Sequence, residues 1–511
     1  MNLIRCGVVL LACALLAGPA RSAAPPFDVH TKRYLTPDPW FPITRTQEVY
    51  RGFDFTGGLP EAIPAEPYAA GPAAARFPGV LAYIVPRFAD GAARQFLLVR
   101  STRPTDAASL PLRYETGYFH QPSLSPSRRY VACRDGFVVG DWLEYAPIVV
   151  DIEGRRWVKV MTWATYWRVF WKNDNSQIAF VMGYTERREI SDGPEAWGLD
   201  GPSETLLSVF DVDHTKNTLV CPAAPGRGPE APCYPAWDGD RPLFSAYPHG
   251  TLDGQSLPPP PDVWEADPAG SGAQIAVHGA FHPSPSPDKR WIAFVGRRGP
   301  KEEHTSGPEG HDWVWLYDRR SGRKYPLSPL EHVAQGPPFP DLLWSGDSRW
   351  LVSCELVEPP AYPGYPHHTR VRVLDLRAAG LAGAVPKKAP GPDSLALKEI
   401  ARFPAAGEDP FGRFERVIPE FRPLRVARDN RSLLCVLSHQ VADSVPLPDG
   451  QPVLSRGFDS SVNALDLMTG KSEEICHVGE NWGVDFVEGP MVMPALSSGK
   501  ARPLSKGQRP R

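Results

Sequence analysis

Histidine is the residue type in this sequence whose placement could support chemistry, because imidazole binds metals and transfers protons near neutral pH. Thirteen histidines are present, and several are close neighbours: His278 and His282, His304 and His311, and the adjacent His367 and His368. A single histidine is more often a surface residue or a partner of backbone carbonyls than a ligand. Spacing alone therefore predicts no metal site.

The motifs of several enzyme classes are absent from the sequence. It contains no G-x-S-x-G elbow of serine hydrolases, no P-loop, no dinucleotide fingerprint and no paired C-x-x-C zinc pattern. Lysine and arginine (55) nearly balance aspartate and glutamate (58), for a net charge of -3. No global field points to nucleic acid or to an anionic membrane. We predict neither a nucleic-acid partner nor a bound cofactor.

The eight cysteines do not form a pattern that fixes their pairing. Cys133, Cys354 and Cys435 each sit in an apolar strand-like run, where a free thiol behaves as a small hydrophobe. Cys221 and Cys233 bracket a loop rich in Pro, Gly and Ala, and in an oxidising compartment they could form a disulfide. Connectivity cannot be read from spacing, so this pairing stays open.

The first 23 residues have the order of a secretory signal peptide. One positive charge lies in residues 1–5, residues 6–18 are almost wholly apolar, and small residues follow. The apolar run is shorter than the ~20 residues of a membrane span. We predict cleavage and a periplasmic or secreted protein without a transmembrane segment. A lipoprotein is the less favoured alternative, because residues 10–13 only loosely resemble a lipobox.

One unit recurs along the chain: an apolar or aromatic residue, a polar turn, and a run of apolar residues. Its copies lie at 122–133, 169–180, 235–244, 283–294, 342–352 and 424–436. An alternating strand that ends in Asp before a tight turn follows most copies, at 148–160, 206–220, 314–327, 371–380 and 462–475. Period-two alternation puts one side of each strand into a core, and the polar residues supply turns.

These hairpins predict an all-β fold. Two hairpins make a four-stranded antiparallel blade that needs neighbours to cover its faces, and radial closure into a β-propeller meets that need. An incomplete unit at 80–100 lacks its first strand, which residues 482–493 could supply. We predict seven blades, with six as the alternative. The predicted domains are a signal peptide (1–23), a Pro/Ala-rich N-terminal extension around the outside (24–78), the propeller (79–495) and a disordered basic tail (496–511).

The best copy of the unit is Ser286-Pro287-Asp288-Lys289-Arg290-Trp291-Ile292-Ala293-Phe294. It resembles the repeat of TolB-like propellers, a WD40-like (PD40) repeat, and that of the prolyl oligopeptidase propeller, with Lys289 in place of the usual Gly. Prolyl oligopeptidases would imply a following α/β-hydrolase domain, and TolB a preceding α/β domain. Neither has room beside the repeats in this sequence, so we expect the resemblance to cover the propeller alone, without peptidase activity.

Oligogalacturonate lyases are seven-bladed propellers that also resemble this repeat, though weakly. Their pattern places His-Pro-His-Pro directly before the turn, and histidines with a glutamine form a manganese site. Here His282-Pro283-Ser284-Pro285 precedes Ser286, so one of the paired histidines is present and no glutamine lies at the matching distance. This resemblance implies a divalent metal, but with an incomplete ligand set.

Propeller geometry adds a positional argument. The residue four positions before the turn serine, or its equivalent, begins the innermost strand at the mouth of the central channel. By this register the candidate ligand-binding residues at the channel mouth are Gln121, Arg168, Tyr234, His282 and Asp341, with Pro423 as the apolar exception. So many polar residues could hold a polar ligand or a partner loop, although the channel could equally hold water alone.

Two hypotheses of function follow, and they belong to different classes. The first is an exported, monomeric binding scaffold that presents a propeller face to an envelope protein or a glycan. The second is a metal-assisted polysaccharide lyase, or another carbohydrate-active enzyme, in which a metal and a base remove the proton beside a uronate carboxyl. A third hypothesis is a propeller whose only role is to stabilise the fold of a partner protein. The absent hydrolase motif and the incomplete metal set favour the scaffold, but the sequence leaves enzymatic activity open.

Overall fold

The fold is described by a computed structural model. It covers residues 27–28, 33–34, 41–42, 68–89, 92–103, 112–116, 118–139, 142–153, 156–160, 165–184, 204–220, 229–248, 261–297, 312–330, 340–357, 368–381, 395–403, 419–446 and 452–490. No α-helix occurs in these ranges, and accordingly none of them contains a helix able to cross a membrane. The predicted signal peptide and basic tail lie outside the described residues.

The described residues contain 32 strands, which range from two to 15 residues in length. In chain order they are β1 (Phe27–Asp28), β2 (Arg33–Tyr34), β3 (Phe41–Pro42), β4 (Tyr68–Ala70), β5 (Gly79–Ala89), β6 (Ala92–Ser101), β7 (Leu112–Thr116), β8 (Tyr118–Leu124), β9 (Tyr130–Val139), β10 (Trp142–Asp151), β11 (Arg156–Lys159), β12 (Thr165–Trp171), β13 (Gln177–Tyr184), β14 (Glu204–Asp211), β15 (Lys216–Leu219), β16 (Pro229–Asp238), β17 (Arg241–Pro248), β18 (Asp262–Ala266), β19 (Ala273–Val277), β20 (Phe281–Pro285), β21 (Trp291–Arg297), β22 (Asp312–Asp318), β23 (Arg323–Pro329), β24 (Asp341–Trp344), β25 (Trp350–Val357), β26 (His368–Asp375), β27 (Lys398–Phe403), β28 (Pro419–Val426), β29 (Ser432–Pro446), β30 (Pro452–Asp466), β31 (Ser472–Asn481) and β32 (Val484–Glu488).

These strands form seven antiparallel blades, as predicted, and the six-bladed alternative is wrong. From the inside outwards, blade 1 is β32-β5-β6-β7, blade 2 β8 to β11, blade 3 β12 to β15, blade 4 β16 to β19, blade 5 β20 to β23, blade 6 β24 to β27 and blade 7 β28 to β31. The chain end therefore supplies the innermost strand of blade 1, with Val484 opposite Tyr83 and Glu488 opposite Gly79. This pairing closes the ring in the way that the incomplete unit at 80–100 predicts.

Four short strands from the N-terminal segment add to outer blade edges. β4 pairs with β31 of blade 7, β3 with β11 of blade 2, and β2 with β15 of blade 3, where β1 pairs with β2 in turn. At the junction of blades 7 and 1, β4 thus lies on the outer edge of blade 7 and β32 on the inner edge of blade 1. The predicted boundary at residue 78 stays a prediction.

A hydrophobic cluster lies between every pair of neighbouring blades. Phe281, Trp291 and Leu351 belong to the cluster between blades 5 and 6, and Tyr83 and Phe486 belong to the one between blades 7 and 1. The remaining five interfaces are filled in the same way. Each blade is therefore apolar on both faces and needs both neighbours to remove that surface from water.

The polar turn of the repeat is held by its own side chains. In blade 5, Ser286 Oγ accepts a hydrogen bond from Trp291 N (2.9 Å) and donates to Asp288 Oδ1 (2.5 Å). The same two bonds recur in blade 6 through Ser345 and Asp347. The buried hydroxyl and the carboxylate thus fix the link between the first two strands, which explains the Ser-x-Asp spacing in the sequence.

Successive turns are also joined to one another around the ring. Ser127 N donates to Asn175 Oδ1 (2.5 Å), and Asp347 N donates to Asn430 Oδ1 (3.2 Å). Both acceptors have positive φ, at 66° and 55°, which asparagine tolerates better than most residues. Lys289 adopts φ 60° at the equivalent turn position, where the related repeats have glycine.

An arginine directly after the turn pairs with the Asp that ends the third strand. Arg290 Nε lies 3.3 Å from Asp318 Oδ1, and both side chains are buried. The equivalent pair is more exposed in blade 6, where Arg349 meets Asp375, and most exposed in blade 7, where Arg431 (60% exposed) meets Asp466 (24%). The pair recurs in blade 2 between Arg129 and the buried Asp151 (3.3 Å), so the described residues repeat it in four blades at different depths of burial.

The environment of Asp318, Asp375 and Asp466 favours their charged form. Burial by itself would raise the pKa of Asp318, but hydrogen bonds from Arg290, from the backbone of Arg320 and from Ser321 outweigh it and lower the pKa below the ordinary 3.8. The pKa values of Asp375 and Asp466 are lowered in the same manner. These aspartates therefore stabilise the folded protein fully at pH values above their pKa in the unfolded chain. This contribution is lost as the pH falls through their lower pKa in the folded protein.

We expect Asp→Asn substitution at these three positions to destabilise the protein in the order of burial. Asp318→Asn leaves Arg290 as a buried, uncompensated charge and should cost about 3 kcal/mol. Asp466→Asn removes an exposed pair and should cost less than about 1 kcal/mol. Urea denaturation at pH 7 measures both values, and at pH 3 the difference between wild type and Asp318→Asn should shrink. Equal losses at all three positions would contradict the argument.

Candidate functional site

The seven innermost strands surround a central cavity of about 370 Å³. Its lining comes from β8, β12, β16, β20, β24, β28 and β32, so every blade contributes. The described polar side chains on this lining are Ser123, Asn173, Tyr234, His282, Ser284, Asp341, Arg422, Arg425 and Asp485, beside the indoles of Trp171 and Trp237. The volume lies in the range of about 300–1,000 Å³ that is typical of small-molecule sites.

The wall of the cavity is built from bulged strands. In blade 4 the pairing shifts by one residue between Cys233 and Ala236, and in blade 5 it shifts between Phe281 and Ser284. Each bulge contains a residue followed by proline, Tyr234-Pro235 and His282-Pro283. Proline has no N–H for a strand ladder and is tolerated at bulges and on edge strands such as these. The repeated X-Pro dipeptide thus indicates where the inner strand bends.

Tyr234 and His282 occupy equivalent positions on adjacent blades and contact each other. Their ring centroids lie 4.8 Å apart with an interplanar angle of 82°, an edge-to-face arrangement. Both residues have positive φ, 48° and 54°, although they lie within strands rather than turns. His282 N donates to Ser245 Oγ of blade 4 (2.7 Å), which holds this backbone in place. Strain of this kind often marks a functional site.

Two charged residues continue this level of the cavity into blades 6 and 7. Asp341 begins β24 and pairs with Cys354 without a bulge, and Arg422 lies in β28 directly before Pro423. Both side chains are half-buried on the cavity lining. Tyr234, His282, Asp341 and Arg422 therefore form an arc over four consecutive blades, which we call the polar arc.

Asp485 carries the deepest charge on the lining and joins three blades. It is 4% exposed and lies on β32 of blade 1, where its Oδ2 accepts a hydrogen bond from Leu124 N of blade 2 (2.6 Å). Arg425 Nη2 of blade 7 donates to Asp485 Oδ1 (3.2 Å). One carboxylate thus connects the strand that closes the ring to both neighbouring blades.

Tryptophan indoles form hydrogen bonds between the inner strands of neighbouring blades. Trp171 Nε1 donates to Ser123 O (3.0 Å), Trp237 Nε1 to Phe170 O (2.8 Å) and Trp344 Nε1 to Ser284 O (2.9 Å). Each bond runs from one blade to the innermost strand of the preceding blade. Carbonyl groups at the inner edge, which have no further strand to pair with, are satisfied in this way.

The structure brings together three of the five residues selected by register. Tyr234, His282 and Asp341 line the cavity, while Gln121 and Arg168 are described only as backbone positions in β8 and β12. Their side chains lie outside the described residues, and a binding role for all five stays a prediction. The register argument missed Arg422, Arg425 and Asp485. The Arg422-Pro423 dipeptide repeats the X-Pro pattern of blades 4 and 5, although here the register shift follows the proline, and it was the available signal for Arg422.

Within the described residues, no cysteine and no histidine other than His282 lines this cavity. Cys133, Cys354 and Cys435 are buried free thiols, as the apolar runs predict. Burial raises the pKa of the Cys435 and Cys354 thiols well above the ordinary value, so both stay protonated. The proposed bridge cannot be placed, because Cys221 and the side chain of Cys233 lie outside the described residues. His304, His311, His367 and the His368 side chain also lie outside them.

A metal set is not assembled within the described ranges. No group of three or more His, Cys, Asp or Glu side chains there could hold an ion. His282, the residue that the lyase resemblance selects, has Tyr234 as its aromatic neighbour. The described residues therefore do not fit the divalent metal that the alternative hypothesis needs.

No family model and no curated protein matches the sequence. Among solved structures, TolB from Acinetobacter baumannii is 13% identical with a TM-score of 0.32, over 58% of this chain and 61% of that chain. The β-propeller domain of the trilobed protease from Pyrococcus furiosus is 14% identical with a TM-score of 0.43, over 78% and 98%. An oligogalacturonate lyase in complex with manganese is 10% identical with a TM-score of 0.32, over 78% and 96%. Similarities this low assign no function, and the PD40 assignment stays a prediction.

Replacing His282 should separate backbone strain from side-chain function. Glycine adopts positive φ without a steric penalty, so His282→Gly should be more stable than His282→Ala by about 1 kcal/mol. At Ser284, two residues further along β20, the order should reverse, because glycine weakens an ordinary strand position. Thermal unfolding midpoints of the four variants measure this. The same order at both positions would show that position 282 is unstrained.

Removing the charge of Asp485 should weaken ring closure. Asp485→Asn is isosteric but loses the ion pair with Arg425, so we expect a loss of about 2–3 kcal/mol in the free energy of unfolding. Asp213→Asn, in the exposed turn between β14 and β15, is the matched control and should change little. Urea denaturation of the two variants gives the comparison. A loss no larger than that of the control would contradict a role of Asp485 in closure.

Proposed function

We propose that this chain is an exported β-propeller that acts as a binding scaffold, with the polar arc at its channel mouth as the contact for an envelope protein or a glycan. The observation that carries the proposal is the convergence of Tyr234, His282, Asp341 and Arg422 on one cavity. Ligand sites typically combine an apolar wall with a few convergent polar groups that fix the orientation of the ligand. A wall of this kind is suited to hold a polar ligand.

Export supports the choice of partner. Residues 1–23 have the pattern of a cleaved signal peptide, which would deliver the chain to the periplasm or outside the cell. Partners there are envelope proteins and glycans, and no nucleic acid is expected. The strain at Tyr234 and His282 also favours a binding role, since a plain strand would relax it. We propose a monomer, without a cofactor.

A metal-assisted polysaccharide lyase is the second candidate. The placement of His282 on the cavity lining is the observation that favours it. This function would require further ligands from residues outside the described ranges. Elemental analysis of the purified mature chain distinguishes the two: one equivalent of divalent metal that disappears in His282→Ala would favour the lyase, together with cleavage of an oligouronide.

Affinity capture from the native cell envelope tests the scaffold. The bait is the mature chain from residue 24, compared with a Tyr234→Ala/His282→Ala variant and a His214→Ala/His278→Ala control. The control histidines are both 78% exposed and do not line the cavity. We expect a protein, identified by mass spectrometry, or a glycan, identified by sugar analysis, that is lost in the first variant and kept in the control.

Two results would count against the proposal. A component recovered equally by all three baits would place the contact elsewhere on the propeller. Recovery of nothing above background after cross-linking would exclude a stable scaffold. Near-ultraviolet circular dichroism of each bait verifies that its tertiary packing is native, so that a lost partner cannot be attributed to unfolding.

A further inference from the structure

Among the described residues, two covalent connections cross the junction of blades 7 and 1, which we call the seam. The inner connection runs from β31 to β32 and supplies the innermost strand of blade 1. The outer connection comes from the N-terminal segment, because β4 lies on the outer edge of blade 7 and residues 71–78 lead from it to β5 of blade 1. We call residues 68–78 the clasp.

The backbone of the clasp is bound to blade 7. β4 pairs with part of β31, and the contact continues beyond the strand. Gly71 N donates to Ile475 O (2.8 Å), and Ala73 N donates to Glu474 O (2.9 Å). The two backbones approach so closely at Gly71 that a Cβ there would collide with the carbonyl oxygen of Glu474. A segment that only linked two strands would not need this approach.

Side chains of the clasp fill the core of the seam. Ala73 (1% exposed) and Phe77 (3%) belong to the hydrophobic cluster between blades 7 and 1, together with Phe486 of β32. Tyr68 packs against this cluster, and Cζ of Arg100 in blade 1 lies 3.6 Å from the centre of its ring. The side chain of Tyr68 therefore contacts blade 1, while its backbone pairs with blade 7.

The clasp also meets β32 and reaches the wall of the central cavity. Gly489 N, directly after β32, donates to the carbonyl oxygen of Pro78, the last residue of the clasp (2.8 Å). Leu424 of β28 lines the cavity and packs against the same cluster as Ala73. One packed cluster thus connects the clasp, the closing strand and the inner strand of blade 7.

We infer that the clasp is a second closure element of the ring, so that blade 1 separates from blade 7 only when both β32 and the clasp are released. Opening the seam must break the contacts of both elements, and their loss exposes one shared apolar cluster to water. This inference concerns ring closure and does not depend on what the polar arc binds.

Native-state hydrogen exchange of the mature chain, measured by mass spectrometry of peptic fragments, tests the inference. Ala73→Asp puts a charge into the cluster, and Ala75→Asp makes the same change at an exposed position two residues away. We expect Ala73→Asp to speed exchange in β5, β31 and β32 tenfold or more, while β17 and β21 on the far side of the ring keep their wild-type rates. Ala75→Asp should leave all five strands unchanged.

Gly71→Ala is a second variant, for the case that Ala73→Asp does not fold. Its added methyl group presses on the Glu474 carbonyl and should speed exchange in the same three seam strands. Faster exchange throughout the ring would overturn the inference, because the clasp would then stabilise the whole fold and not the seam. Wild-type exchange at the seam in a folded variant would also overturn it, because β32 alone would then hold the ring closed.

Discussion

Every blade of this propeller is apolar on both faces, and the rest of the structure depends on that constraint. A four-stranded sheet of this kind cannot be stable in water until a neighbour covers each face. With a cluster between every pair of blades, from the one around Trp291 to the one around Phe486, the ring must close completely. The central cavity results from closure, because seven inner edges then face a common axis and no eighth sheet can pair with them.

The repeat motif serves both the blade and the ring. Within a blade, Ser286 and Asp288 fix the first turn, and Arg290 pairs with Asp318 at the end of the third strand. Between blades, Asp288 N donates to Ser348 Oγ of the next turn (2.9 Å). The motif can therefore degenerate in single copies. In blade 4, Gly239 takes the turn position with positive φ, and Arg319 of blade 5 reaches back to pair with Asp238.

Sequence reasoning predicted the architecture well because its signals are local and repeated. The turn unit recurs in six copies and the alternating strand in five, and the unit lacking a first strand at 80–100 predicted the closing strand from the chain end. The site was harder to predict. Counting four residues back from the turn selects a residue that lines the cavity in each of blades 4 to 7, but in blade 7 that residue is Pro423, and the count passes over Arg422 directly before it. Asp485 was missed because β32 has no turn motif from which to count.

Closure by the last strand has a consequence for how the protein is made. Blade 1 lacks its innermost strand until β32 has been synthesised and, if the signal functions as predicted, carried across the membrane. Val484 must then find Tyr83 from the far end of the chain, and contacts of such sequence separation form slowly. Until that moment the inner edge of β5 is an unpaired edge open to aggregation. A nascent or truncated chain that lacks β32 therefore exposes an aggregation-prone strand edge that the complete ring does not have.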